Sequence, residues 1–235
     1  MGKGESMIGC LVLHGFTGGP YEVEPLAEYL REQTDWKIVV PTLPGHGETL
    51  SLRGIKHVQW IEHAEECLKS LLETCDKVYV AGFSMGGLIA SYLAVHYNVS
   101  KLVLLSAAAR YIHIKQLFRD IGGLIREGWQ GNLLENELYN RYKVKMTNTP
   151  LLSTYEFRKV VTIARPLLKK VTIPTFIAQG EVDGIVPPAS AAYIYESISS
   201  RQKNIYYASR SKHLICHSED KAELFDHIYH FLEDE

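Results

Sequence analysis

No stretch of the chain reaches the run of about 18 apolar residues that a membrane span requires, so stable membrane insertion is not expected. The four cysteines, Cys10, Cys67, Cys75 and Cys216, show no C-x-x-C spacing. A chain of this length needs no disulfide framework, which points to a reducing compartment. Neither sign of charge dominates: 25 Lys and Arg stand against 27 Asp and Glu, a formal charge of −2. That balance argues against binding nucleic acid or an anionic membrane through bulk electrostatics, and favours a small, roughly neutral partner. The opening "MGKGESMIGCLVLHGF" has a short apolar run but no small-residue cleavage site, so a cytoplasmic location is expected. Gly2 and Ser6 match a loose myristoylation pattern, yet an apolar strand follows at once and a short solvated leader is the simpler reading. No Walker A or dinucleotide glycine fingerprint is present, and no cofactor is expected. Asp226, His227 and His230 lack a supporting ligand set, so they are read as the polar face of a terminal helix and no metal is expected.

What is present fits one globular domain over residues 1–235, 46% hydrophobic, without repeats or linkers. Short apolar runs at 7–13, 37–40, 77–82, 101–106, 173–179 and 203–208 read as strands. Their near-continuous apolar character suits strands covered on both faces. Amphipathic helices are expected at 21–32, 58–75, 85–97, 188–199 and 219–233, and strict alternation predicts a mostly parallel, doubly wound α/β sheet. More than sixty residues separate the fourth and fifth strands, far beyond an ordinary crossover. Helical spacing over 114–125 and a capping-box pattern, Ser153 with Glu156, suggest helices within this insertion of approximately 107–170, which is read as a lid.

The chemistry is carried by "GFSMGG" at 82–87. A G-x-S-x-G match is weak alone, but Gly82, Ser84 and Gly86 fall between an expected strand and an expected helix, the setting of a nucleophile elbow. The amide of Met85 would then face developing negative charge at a helix N-terminus. A serine hydroxyl needs a base and an orienting carboxylate. Asp183 in "QGEVDGIVPP" and His213 in "SRSKHLI" follow later strands in the required order. Glu181 and His217 are the rivals. Asp183 is preferred because "GIVPP" turns it across the strand ends, and His213 because His217 leads into the last helix. The loop "HGFTGGP" after the first strand offers the amide of Phe16 as a second oxyanion donor, while His14 is read as a structural histidine bonded to that loop. His46 of "GHG", Phe118 and Trp129 are candidate pocket-lining residues, with Tyr139 beside them.

Together "LVLHGFTGGPYEVEPLAEYL", "PTLPGHGET", "VAGFSMGGLIA", "IPTFIAQGEVDGIVPP" and "SRSKHLI" resemble the α/β-hydrolase superfamily, above all its small bacterial carboxylesterases and monoacylglycerol lipases. The resemblance spans nearly the whole chain and is weakest over 107–170. It implies an α/β-hydrolase fold and hydrolysis of carboxylic esters, with Ser84 as nucleophile, His213 as base, Asp183 as orienter and the Phe16 and Met85 amides as oxyanion hole. Because the first strand lies within ten residues of Met1, a sheet of about six strands is expected. Lys212 is a departure, standing where a smaller residue is common. The expected substrates are short- to medium-chain acyl esters or monoacylglycerols. A thioesterase or lactonase would use the same triad, and a ligand-sensing module on this scaffold is the alternative of a different class.

Overall fold

The computed structural model describes residues 7–110 and 151–234. The expected 114–125 helix, together with Phe118, Trp129, Tyr139 and the Gly2–Ser6 pattern, lies outside the described residues. Six strands, β1 (Ile8–Leu13), β2 (Lys37–Val39), β3 (Lys77–Phe83), β4 (Lys101–Leu105), β5 (Thr175–Gly180) and β6 (Lys203–Ala208), form one sheet in the order β2-β1-β3-β4-β5-β6. Every pair is parallel. Among the described residues six helices, α1 (Glu24–Gln33), α2 (His57–Thr74), α3 (Met85–His96), α4 (Leu151–Ala164), α5 (Ala189–Ser197) and α6 (Lys221–Glu233), alternate with them. This is a doubly wound arrangement, a parallel sheet with helices on both faces.

Successive strand residues enter opposite cores, which explains the continuous apolar runs. Leu11, Leu13, Val80, Leu102, Leu104 and Ile177 pack on the side of α2, α3, α4 and α5. Cys10, Val12, Ala81, Val103, Leu105 and Ala178 pack on the side of α1 and α6. Among the described residues no helix is long and apolar enough to cross a membrane. The described flanks of the 107–170 segment pack into this frame: Ala107, Ala108 and Ala109 are buried, as are Phe157, Val160 and Ala164 of α4.

The helix expected from the Ser153 and Glu156 pattern is present as α4, but the capping box itself does not form. Ser153 lies inside α4, where its hydroxyl donates to the Leu52 carbonyl across 3.3 Å. The Glu156 carboxylate instead accepts from His57 Nδ1 at 2.6 Å and Lys159 Nζ at 2.7 Å. Burial raises its pKa, but these bonds outweigh burial and hold the carboxyl at about 2. Both side chains thus have tertiary partners that a local pattern cannot reveal.

The strand order reverses beside β1: the chain runs outward from β1 to β2, then returns to place β3 on the other side of β1. Ligands in open α/β sheets bind beyond the strand carboxyl ends at such a reversal. Here it brings the loop after β1 against the turn after β3.

Candidate active site

Ser84 occupies the single-residue turn between β3 and α3 with φ 53° and ψ −114°. A non-glycine residue held there carries a strain of about 1–3 kcal/mol, sustained by its surroundings. Those surroundings are backbone packed at contact. A Cβ on Gly82 would stand 2.7 Å from the Gly87 nitrogen, and one on Gly86 would overlap the carbonyl oxygens of Leu13 and His14. The Ser84 N–H donates to the Leu105 carbonyl at 2.9 Å, tying the turn to β4. Ser84 is left at the sheet's carboxyl edge, 8% exposed.

His213 Nε2 lies 3.1 Å from Ser84 Oγ, and its Nδ1 lies 2.8 Å from Asp183 Oδ2. The carboxylate only accepts, so Nδ1 carries the proton and Nε2 accepts from the serine hydroxyl. The Asp183 side chain is fully buried. Its Oδ1 accepts from the N–H groups of Ile185 at 2.8 Å and Val186 at 2.9 Å, while Oδ2 also accepts from Gln179 Nε2 at 2.9 Å. The Gln179 nitrogen further donates to the Val186 and Gly180 carbonyls. The His213 loop is held in turn by Asp220, which accepts from the Arg210 N–H at 2.7 Å and Arg210 Nε at 2.8 Å. Burial pushes the Asp220 carboxyl up, but the Arg210 bonds and charge hold it below its ordinary value.

The rivals fall elsewhere. Glu181 is exposed. His217 Nε2 donates to the Tyr21 carbonyl at 2.7 Å, stitching the His213 loop to the segment after β1. Lys212 is exposed beside buried His213, so the departure at that position is accommodated.

The loop after β1 is braced on both sides of one residue. His14, fully buried, receives the Leu43 N–H on Nε2 at 3.0 Å and donates from Nδ1 to the Gly15 carbonyl at 2.9 Å. The Gly18 N–H reaches the same carbonyl at 3.3 Å. A trans peptide points N–H and C=O in opposite directions, so pinning the Gly15 carbonyl turns the Phe16 N–H the other way. Among the described residues no acceptor is bonded to the N–H of Phe16 or of Met85. The Phe16 ring stacks on Phe157 at 5.0 Å and packs beside Trp60 and His46. His46 is 6% exposed, donates from Nδ1 to the Pro44 carbonyl at 3.1 Å, and leaves Nε2 buried with no partner among the described residues. Among the described residues no cluster of potential metal ligands forms, and Asp226 accepts the Tyr29 hydroxyl.

Sequence reasoning missed Gln179 and Glu22. Gln179 had a signal, a polar residue at the end of an apolar strand run, and the structure buries it wholly. Glu22 is 2% exposed, and its carboxylate takes the Gly15 N–H at 2.8 Å.

Parallel sheet, serine on a sharp strand-to-helix turn, histidine and buried aspartate define an α/β-hydrolase. The chain belongs to the family described as serine aminopeptidase, S33, which matches residues 6–220. It is 28% identical over 227 residues to the thermostable monoacylglycerol lipase of Bacillus sp. (strain H-257), covering 95% of this chain and 90% of the relative. It is 26% identical over 237 residues to a carboxylesterase of Bacillus subtilis (strain 168), covering 95% and 91%. A solved structure from work on the metagenome-derived lipolytic enzymes LipS and LipT superposes with a TM-score of 0.79 at 23% identity, over 98% of this chain and 95% of that one.

Proposed function

We propose that the protein is a serine ester hydrolase working through an acyl-enzyme on Ser84, with short- to medium-chain acyl esters or monoacylglycerols as substrates. The observation that carries the proposal is the hydrogen-bonded path from Ser84 Oγ through His213 to Asp183, at 3.1 and 2.8 Å. The relatives described as monoacylglycerol lipase and carboxylesterase support ester over amide substrates.

As Ser84 Oγ bonds to the ester carbonyl carbon, its proton passes to His213 Nε2 and the carbonyl π pair moves onto oxygen. The Phe16 and Met85 N–H groups stabilise that oxyanion, Met85 with the added positive end of α3. Collapse re-forms the carbonyl and expels the alkoxide, which leaves as alcohol with the proton from His213. Water then attacks the acyl-enzyme with His213 as base, releasing the acid and restoring Ser84. Asp183 holds the ring in the required tautomer throughout. Residues 107–170 are proposed to cover the acyl site as an insertion within the single domain.

The test is labelling by a fluorophosphonate alongside turnover of p-nitrophenyl esters of graded chain length, with an aminoacyl p-nitroanilide as the amide control. Labelling and ester turnover are expected, with a loss of at least about 10⁴-fold in Ser84→Ala. No labelling with no turnover of either substrate, or turnover unchanged in Ser84→Ala, overturns the proposal. A preference for the anilide would move the reading to a peptidase.

A further inference from the structure

We infer that Glu22, which bonds none of Ser84, His213 and Asp183, is a positioning residue that holds the oxyanion donor loop in its working shape; this rests on the ester hydrolase reading. Glu22 closes the short 3₁₀ turn Pro20–Glu22. A carboxylate buried to 2% exposure in front of a helix is costly unless its oxygens are bonded. Its Oε2 accepts the Gly15 N–H at 2.8 Å from inside the loop. A Cβ on Gly18 would overlap the carboxylate itself, so this glycine exists to let the loop close over Glu22. The loop wraps further through the Glu22 N–H, which donates to the Gly19 carbonyl at 3.0 Å, and through Thr17 at φ 61°.

The consequence lies one peptide away. Glu22 fixes the N–H of Gly15 while His14 and Gly18 fix its carbonyl, so the residue is clamped on both sides. With both sides set, the Gly15–Phe16 peptide plane has one orientation, and the Phe16 N–H is aimed before substrate arrives. An oxyanion donor is effective because no reorganisation is needed during reaction. Loosening Gly15 therefore weakens transition-state binding more than substrate binding. The placement of Glu22 explains why hydrogen-bond geometry, rather than charge, is the relevant property: a net negative charge near a developing oxyanion opposes it.

Two variants separate the effects. Glu22→Ala removes the acceptor; Glu22→Gln keeps an acceptor oxygen and removes the charge. In Glu22→Ala, kcat per active site, counted by the fluorophosphonate end point, falls about 10- to 100-fold with KM within about twofold. The inhibition constant of an alkyl boronic acid, which does not depend on how much of the sample is folded, rises by the same factor as kcat/KM falls. Glu22→Gln recovers both to within about threefold of the parent. If Glu22→Ala changes only melting temperature, or lowers kcat while leaving boronate affinity untouched, or if Gln fails as badly as Ala, the inference is overturned. If the unaltered protein neither turns over esters nor labels, the ester hydrolase reading fails instead.

Discussion

The two halves of the site are built by different means. At the ends of β1 and β3 the geometry is made by backbone: Gly86 against the Leu13 and His14 carbonyls, Gly82 against the Gly86 and Gly87 backbone, Ser84 at a positive φ. At the ends of β5 and β6 it is made by side chains: Asp183 accepts from Gln179, Ile185, Val186 and His213, and Asp220 anchors Arg210 and Ser211. A backbone-built half cannot be altered without moving the fold. A side-chain-built half can lose its chemistry while the fold persists.

Asp183→Asn should break the second half with the largest effect. The new amide nitrogen takes the place of Oδ2, facing His213 Nδ1, so the ring proton moves to Nε2 and the serine hydroxyl loses its acceptor. A fall in kcat of about 10³- to 10⁴-fold is expected. The amide also meets the Gln179 donor at 2.9 Å, which costs about 1–3 kcal/mol of stability, small beside the catalytic loss. Ester kinetics beside urea unfolding check both. A stability loss large enough to explain the rate would erase the contrast. Gly86→Ala should do the reverse. The overlapped atoms are main-chain oxygens that no rotamer change can move, so about 3 kcal/mol or more is lost together with activity. A folded, active Gly86→Ala with unchanged urea midpoint would show that the two halves are not as different as their contacts suggest.

The same contrast governs what the sequence could reveal. The elbow was legible because its constraint is local: glycines two residues either side of Ser84, between an apolar run and a helix. Asp183 and His213 were legible through topology, since parallel strands with helical crossovers bring successive strand ends to one edge, where the structure places both beside Ser84. The described strands and helices fell within a few residues of their expected places for the same reason of periodicity. What stayed hidden depends on contacts distant along the chain or on burial no motif encodes. Glu22 looks like a surface residue until the loop after β1 folds over it. Ser153 and Glu156 looked like a local cap until Leu52 and His57, about a hundred residues earlier, claimed them.

His46 is the exception that sharpens the comparison, a titrating side chain lodged in the backbone-built half. Burial pushes its imidazole down to about 4, outweighing the opposing hydrogen bonds to the Pro44 and Leu43 backbone. The unfolded chain binds a proton near its ordinary value of about 6.5, and the folded chain does not until about 4. The neutral ring's stabilisation is therefore full above pH 6.5 and is lost as pH falls towards 4, by roughly 2.5 kcal/mol between pH 7 and 4.5. His217, also pushed down by burial and then by Lys221, acts in the same direction. The Glu156 carboxyl, held at about 2, loses its contribution only at lower pH. His46→Phe isolates the effect, because the ring still packs against Trp60 and Phe16, and the Pro44 carbonyl keeps the Trp60 Nε1–H at 3.0 Å. Unfolding free energies of the two proteins at pH 7 and 4.5 should show a pH-dependent loss smaller by roughly 2 kcal/mol in His46→Phe. Equal losses in the two proteins would mean that water or ligand reaches the buried Nε2 and that this wall of the site is less closed than its packing indicates.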